Sequence, residues 1–383
     1  MPVTASVREP GLPATDYYAP NFKVEVEGRE LDPESKGDVL DVKVTMDLDN
    51  LTSFDLTVNN WDDKSFGFKY SDTTIFDVGN RVHVRMGYAD DLRFMASGII
   101  SALTPKFPES GPPTLGITGV DAMLKLRDRK PVGSDVKKFV DRYDWQIAQE
   151  VGARNKLDVK VTQKGPRQPL VIQKNQDDAQ FLMERAKRID FDCYIRIDPE
   201  TGRDTLYFIS PTDARDGSTI RTYVFEWGKS LINFNPKLTI GKQVGKVTVR
   251  GWDPRTKQPI TYTAGPDDLP KAAGGGGGDS GPEVAGKRLG DKQDIIVDQP
   301  VSTIEEAREL AMSRMRERAY DYLTGSGQTI GLPDLRPGDN VELVGLGKRF
   351  SGSYYVTKVE HTLGASGYLT QFDVRRCADG GTQ

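Results

Sequence analysis

The sequence predicts an α+β fold that is mainly β: two related antiparallel β-barrels, a small α+β module between them, and a long helix in the second barrel domain. Three observations predict it. Short apolar runs alternate with period two from Phe22 to Val120 and again after Pro211, the pattern of half-buried strands. Helical spacing is confined to the middle of the chain and to the stretch after Ser302. One turn-and-strand pattern occurs twice.

Residues 1–20 carry Pro2, Pro10, Pro13 and Pro20 and almost no aliphatic side chains. They read as an extended N-terminal arm that stays loose or docks on a partner. The first β-barrel is placed at 21–128, where Phe22–Val26, Val39–Met46, Ser53–Val58, Arg81–Met86, Phe94–Leu103 and Leu115–Val120 follow one another as short strands. The α+β module occupies 129–212. Tyr143, Ile147, Ala148 and Val151 share one helical face; Ala179, Leu182, Met183, Ala186 and Ile189 share another, with Asn175 as the expected N-cap. Val159–Val161, Leu170–Ile172, Asp192–Ile197 and Thr205–Ile209 supply the sheet, the last two joined by the turn Asp198-Pro199-Glu200-Thr201-Gly202.

The second β-barrel domain is assigned to 213–264 and 295–376. Between these segments, 265–294 contains the run Gly274–Gly278 with Pro266, Pro270 and Pro282, a composition that predicts a flexible insertion without a packed core. Ser302 followed by Glu305 predicts a capping box. Ile304, Ala307, Ala311, Met315, Ala319 and Tyr322 then form one apolar stripe, and Gly325 is expected to end the helix. Strands at Asn340–Val344, Gly352–Thr362 and Tyr368–Arg375 complete the domain, leaving 377–383 as a C-terminal tail.

The repeated pattern runs Phe76-Asp77-Val78-Gly79-Asn80-Arg81-Val82-His83-Val84 into Phe94 and Gly98–Leu103. It recurs as Leu335-Arg336-Pro337-Gly338-Asp339-Asn340-Val341-Glu342-Leu343 into Phe350 and Gly352–Val359. A duplicated barrel predicts that Gly79 matches Gly338 and that Gly98 matches Gly352.

A chain of 383 residues exceeds the usual size of one core. Its 52 Lys and Arg against 56 Asp and Glu give a net charge of −4 without a basic block, which argues against nucleic-acid specificity. No apolar run approaches the roughly eighteen residues of a membrane span, so no membrane insertion is expected. Met1–Ser6 has neither a basic nor an apolar region of a secretory leader, so the chain is expected to be made in the cytoplasm without a signal peptide. Cys193 and Cys377 lie far apart without metal-binding spacing and read as reduced structural thiols.

Chemistry-bearing constellations are sparse. His83 and His361, the two histidines, fall in strand patterns at equivalent regions of the two barrels and lack a ligand cluster, so both read as structural. No G-x-S-x-G elbow occurs. Gly274–Gly278 lacks the Lys-Ser/Thr ending of a phosphate loop, and Gly325-Ser326-Gly327 reads as a helix C-cap. Asp47, Asp49, Asp198, Glu200 and Asp204 read as solvated turn carboxylates. No catalytic, cofactor-binding or metal residue is therefore assigned, no cofactor is expected, and the interface residues are left unassigned.

Three segments carry a family resemblance over nearly the whole chain: Gln173–Asp178 into Phe181–Ala186, Val247–Pro254, and Leu335–Asp339 through Phe350–Val356 with His361 after it. In this order they resemble the phage late control gene D family of tail hub proteins, which is similar to the hub of T-even phages and to the N-terminal part of the type VI secretion spike VgrG. The resemblance implies a homotrimeric baseplate hub in a phage tail, tailocin or extracellular contractile injection system, a symmetry adaptor between a hexameric tail tube protein and a spike among other baseplate proteins. Because no β-helix region follows the second barrel, the spike is expected to be a separate chain, and no lysozyme-like segment is appended. The alternative from another class is a β-rich carbohydrate-active enzyme or surface-binding protein, which would show converging carboxylates or exposed aromatics in a cleft.

Overall fold

The computed structural model describes residues 6–7, 19–127, 130–131, 136–198, 203–211, 222–269, 278–290 and 292–380. The chain is mainly β, as its alternation predicts. The first elements are β1 (Ser6–Val7), β2 (Pro20–Val26), β3 (Arg29–Glu30), α1 (Pro33–Gly37), β4 (Val39–Asp47), β5 (Ser53–Asn59), β6 (Trp61–Asp62), β7 (Gly67–Phe68), β8 (Arg81–Tyr88), β9 (Asp91–Lys106) and β10 (Thr114–Val120). Then come β11 (Lys137–Tyr143), α2 (Asp144–Arg154), β12 (Asp158–Val161), β13 (Arg167–Gln173), α3 (Asp178–Arg188), β14 (Asp192–Ile197) and β15 (Asp204–Ile209). The rest are β16 (Thr222–Glu226), β17 (Leu231–Leu238), β18 (Lys246–Asp253), β19 (Gln258–Ala264), α4 (Gly281–Leu289), β20 (Gln293–Ile296), α5 (Ile304–Tyr320), β21 (Leu323–Ile330), β22 (Asn340–Val344), α6 (Gly347–Phe350), β23 (Gly352–Gly364) and β24 (Gly367–Arg376).

The described strands do not form two separate closed barrels. One 14-stranded sheet runs through both halves: β2-β8-β9-β10-β5-β4 in the first and β16-β22-β23-β24-β21-β17 in the second, with β4 paired to β23 across the middle. The long β23 makes this junction. Its first residues pair with β22, the same edge beyond Lys358 pairs with β4, and its other edge pairs with β24.

Within that sheet the two halves repeat each other closely. Gly79 and Gly338 both adopt left-handed φ, at 96° and 93°, and each donates its N–H to a carbonyl of the next strand at 2.9 Å, Ile100 and Val356 respectively. Glycine suits this conformation because it has no Cβ to clash. A β-bulge follows at matching places: Ser101 is skipped between β9 and β10, Thr357 between β23 and β24. Both bulged hydroxyls donate to the facing strand, Ser101 to the Thr118 carbonyl and Thr357 to the Asp373 carbonyl. A second matching bulge leaves Leu40 unpaired in β4 and Ile232 unpaired in β17. Two coincident bulges exceed ordinary hairpin grammar, since each extra residue re-aims the strand that follows.

The register corrects part of the expectation. Gly79 does match Gly338, but Gly98 pairs with Val82 and Gly352 with Leu343, so Gly98 corresponds to Tyr354 and Gly352 to Ala96 on the same strands. His83 and His361 are not equivalent: His83 is on β8, whereas His361 is on β23, the counterpart of β9. The edge strands also differ, since β2 is antiparallel to β8 while β16 is parallel to β22.

Several local expectations change. The N-cap of α3 is Asp177, whose carboxylate accepts the Gln180 N–H, while Asn175 sits in left-handed backbone. For α5 the cap is Thr303 with Glu306, one residue later than Ser302 with Glu305, because the Glu306 side chain reaches back to the Ser302 N–H. Gly325 and Gly327 lie in β21, not at a helix end. There the Phe234 and Phe372 rings occupy the space a Cβ would need.

The flexible-insertion reading of 265–294 fails where the structure describes it, residues 270–277 and 291 lying outside the described residues. Ser280 and Glu283 form a capping box for α4, whose Ala285 is fully buried, and β20 pairs parallel with β18. Composition averaged over the segment hid one short amphipathic helix. Residues 377–380 are likewise packed: Cys377, Ala378 and Asp379 are buried, and Gly380 donates to the Arg349 carbonyl. From the N-terminal arm, Ser6–Val7 pairs antiparallel with β16 of the same chain; the rest of the arm up to residue 18 lies outside the described residues, as do Pro199–Gly202.

Four main hydrophobic clusters result. One lies under the first half of the sheet around Phe54, Leu56 and Phe76, and one under the second half around Phe225, Leu335 and Phe372. A third binds α2 and α3 to β14 and β15 through Ile147, Leu182 and Leu206; the fourth packs α5 onto β18 and β19 through Leu310, Met315 and Val249.

Candidate functional site

The junction between the halves is built from both backbone and side chains. Lys358↔Asp47 through Leu363↔Val42 form its ladder, and Lys43 pairs with Glu360 at 2.8 Å. At one end the 331–336 loop of the second half docks on the β8–β9 hairpin of the first. The Tyr88 hydroxyl donates to the Gly331 carbonyl at 2.8 Å, Arg93 pairs with Asp334 at 3.1 Å, and Arg336 donates to the Phe94 carbonyl at 2.9 Å.

His361 lies inside this junction, fully buried. Its Nε2 is 3.1 Å from the Leu335 carbonyl, and its Nδ1 lies 3.0 and 3.1 Å from the Tyr368 and Thr370 hydroxyls. Burial first, and Arg336 second, push its basicity well below the ordinary value, so the ring is neutral and acts as a hydrogen-bonded strut. His83 is half-buried beside Glu25, at 3.8 Å, and its Nε2 finds no hydrogen-bond partner among the described residues. Burial and Arg81 push it down as well.

A polar groove of about 190 Å³ opens where the end of β4, α3, β14, α5 and β24 meet. Five carboxylates line it, and four of them pair with bases in or beside the groove: Asp49 with Lys187 at 2.7 Å, Asp190 with Arg316 at 3.0 Å, Glu317 with Arg314 at 2.7 Å and Asp321 with Lys242 at 3.7 Å. The Arg375 guanidinium lies over the Tyr320 and Tyr355 rings, 5.0 and 5.4 Å from their centroids, and the Tyr355 hydroxyl donates to Asp192 at 2.8 Å. Cys193 lines this groove, but burial and then Asp192 push its thiol up to about 12, which leaves it protonated and a poor nucleophile.

Charged side chains also fill the contact between the middle of the chain and α5. Arg185 donates to Asp144 at 2.6 Å with both nearly inaccessible. Arg188 reaches the Gln299 side chain and the Pro300 carbonyl, and Glu306 is buried nearby. Among the described residues Asp144 Oδ2, Arg185 Nη2 and Glu306 Oε1 find no hydrogen-bond partner. Burial lowers Arg188 to about 10 and raises Glu306. A net-neutral cluster of this kind fixes orientation more than it adds stability.

Two of the turn carboxylates, Asp47 and Asp204, line one small cavity together with Asp121, and each is held by a neighbour. Asp47 accepts the Asp49 N–H, and Asp204 pairs with Arg81 at 2.7 Å. Asp198 is buried instead of solvated, held by Lys160 and by the Tyr207 hydroxyl; the apolar strands β12 and β15 that cover it were legible, but not their parallel pairing. Glu200 lies outside the described residues. Sequence reasoning missed Asp121, whose carboxylate accepts the Thr52 and Met123 N–H groups at 2.9 Å and is pushed up to about 6 by burial. Among the described residues no His, Cys, Asp and Glu group is arranged to hold a metal ion, Cys193 and Cys377 are free buried thiols, and no helix is long and apolar enough to cross a membrane.

The family model described as the Alg8 N-terminal domain matches residues 17–365. The chain belongs to this family. No curated protein matches it. Among solved structures it is similar to a 43 kDa tail protein of prophage MuSo2 from Shewanella oneidensis, at 14% identity and TM-score 0.67, covering 94% of this chain and 98% of that one. It is similar to a tail protein from Neisseria meningitidis MC58, at 13% identity and TM-score 0.67, covering 94% and 97%. An Escherichia coli component of the type VI secretion system, described as structurally similar to the T4 tail proteins gp27 and gp5, matches at 12% identity and TM-score 0.58, covering 92% and 76%. At these identities the likeness is one of fold.

Proposed function

We propose that this chain is the baseplate hub of a contractile tail or contractile injection system, a member of the late control gene D type. In this reading it is made in the cytoplasm and assembles as a homotrimer into a phage tail or phage-like particle, adapting the hexameric inner tube to a separate trimeric spike. The observation that carries the reading is the duplicated sheet: two halves with the same bulges, joined edge to edge, let three copies present six similar units to a sixfold ring. The fold likeness to phage tail and type VI secretion proteins supports it. An adaptor works through extended surfaces and requires no catalytic turnover.

The family label hints at a glycosyl-transferring domain, which sets the carbohydrate-active alternative against this reading. The groove's carboxylates, held in ion pairs and by the Tyr355 hydroxyl, and the protonated Cys193 favour the structural role. Deleting the gene from its particle-producing host should leave particles without tubes, seen by electron microscopy. Intact, tube-filled particles made without this chain, or glycosyl transfer or hydrolysis by the purified protein, would overturn the proposal.

A further inference from the structure

The internal junction has a counterpart that no strand among the described residues covers. In the repeat, β9 corresponds to β23 and β17 to β4, so the pair β23–β4 that joins the halves maps onto the pair β9–β17. Within the chain those two strands are far apart in pairing order. β9 contacts β8 only up to Ile99, and its pairings with β10 use the other edge; β17 pairs with β21 on one edge. At the internal junction the aligned residues are buried, Val42 and Val44 on β4 and Val359 and His361 on β23 all at 0%. Their counterparts are more open: Pro105 and Pro236 are exposed and Leu103 and Phe234 half-buried, and around them Thr104 and Lys106 on β9, Phe107 just past it at 63%, and Asn233, Asn235 and Lys237 on β17 are exposed.

We infer that a second copy of this chain fills this edge: β17 of one copy lies antiparallel along residues 102–107 of the next. The inference rests on the trimeric hub reading only for the number of copies. Transferring the register of β23–β4 pairs Leu103 with Leu238, Thr104 with Lys237, Lys106 with Asn235 and Phe107 with Phe234, placing an apolar pair toward each end of the seam. Pro105 and Pro236 fall on the same rung, so the hydrogen bonds of a single rung are surrendered. The same proline pair makes the edge a poor template for other strands, and it makes this seam weaker than the internal one, as suits a joint formed after each copy folds.

The flanking loops agree. Within the chain the 331–336 loop docks on the β8–β9 hairpin; its counterpart, the loop around 72–77, would dock on the β22–β23 connection of the next copy. That loop exposes Ile75 and Val78 beside Asp72 and Asp77, and the connection exposes Val344 and Lys348. Opposite charges flank apolar side chains on the two surfaces. Repeated head to tail, the contact alternates with the internal junction and closes as a ring.

The test is a cysteine cross-link in the full chain, where the buried Cys193 and Cys377 stay silent. Leu103→Cys with Leu238→Cys should give disulfide-linked dimers and trimers on mild oxidation. Leu103→Cys with Ile232→Cys, six residues off register, should not. Phe107→Asp, at an exposed position that the fold tolerates, should weaken self-association at least about tenfold by sedimentation, and Asp77→Lys should weaken it in a way that Lys348→Asp restores. A stable trimer without the in-register cross-link would overturn this seam and leave the hub reading standing. A chain that stays monomeric and uncross-linked at high concentration would overturn the seam too, while tube initiation in the particle tests the hub reading separately.

Discussion

Replacing Asp144 by Asn tests whether the buried ion pair holds α2 to α3. Asp144 is 1% exposed, and its Oδ1 takes the Arg185 Nε at 2.6 Å. The amide keeps the size of the carboxylate but leaves a buried guanidinium without its counter-charge, at a cost of about 3–5 kcal/mol. Changing both partners to apolar residues, Asp144→Leu with Arg185→Met, removes the stranded charge and should come within about 1 kcal/mol of the native chain or exceed it. Cys193 reports the local opening because it lies in the same hydrophobic cluster as Ile147 and Leu182. In a Cys377→Ser background its labelling by a thiol reagent should accelerate by about two to three and a half orders of magnitude in the single variant. In the double variant it should return close to the native rate. An Asp144→Asn chain labelled within about fivefold of native, or a double variant as labile as the single, would refute the claim that charge pairing clamps this contact.

Other outcomes follow from the same geometry. His361→Ala should cost about 3 kcal/mol by urea unfolding, since it opens a cavity and orphans the Leu335 and Thr370 partners, without altering particle assembly. Its folded-state basicity is depressed, so the stabilisation lost in the variant is present above the unfolded value of about 6.5 and fades as pH falls below it; the gap between native and variant should narrow in acid. Asp121 has the opposite sign. Its pKa is raised to about 6 in the fold, so it favours folding at low pH and loses that contribution as pH rises from about 4 to 6. Asp121→Asn should therefore compare best with the native chain above pH 6, and a pH-independent difference would count against the buried carboxylate. Gly281→Val should destabilise the α4 contact by at least about 2 kcal/mol, because its Cβ would meet Tyr322 Cβ at 2.6 Å and Gln243 Oε1 at 2.4 Å.

Alternation by itself determined that this chain is mainly β, because a side chain on a strand reports its face every second residue and Val42, Val44 and Met46 could be read without their neighbours. Local turn chemistry did the same for the repeat: a glycine needed for left-handed backbone shows in the sequence, and Gly79 and Gly338 were matched from it. Short-range caps were legible to within two residues. What composition averaged away was α4, a nine-residue helix behind a glycine run. Strand partners and edges were decided by the tertiary structure alone. Which strand lies beside β4 depends on β23, more than three hundred positions on, and a pattern of period two says which face is buried but not which chain lies alongside. For the same reason Asp198 and Asp121 looked solvated or ordinary in the sequence: burial of a carboxylate is a property of the elements folded over it. The open edges of β9 and β17 became visible only once the filled edge between β4 and β23 showed what belongs there.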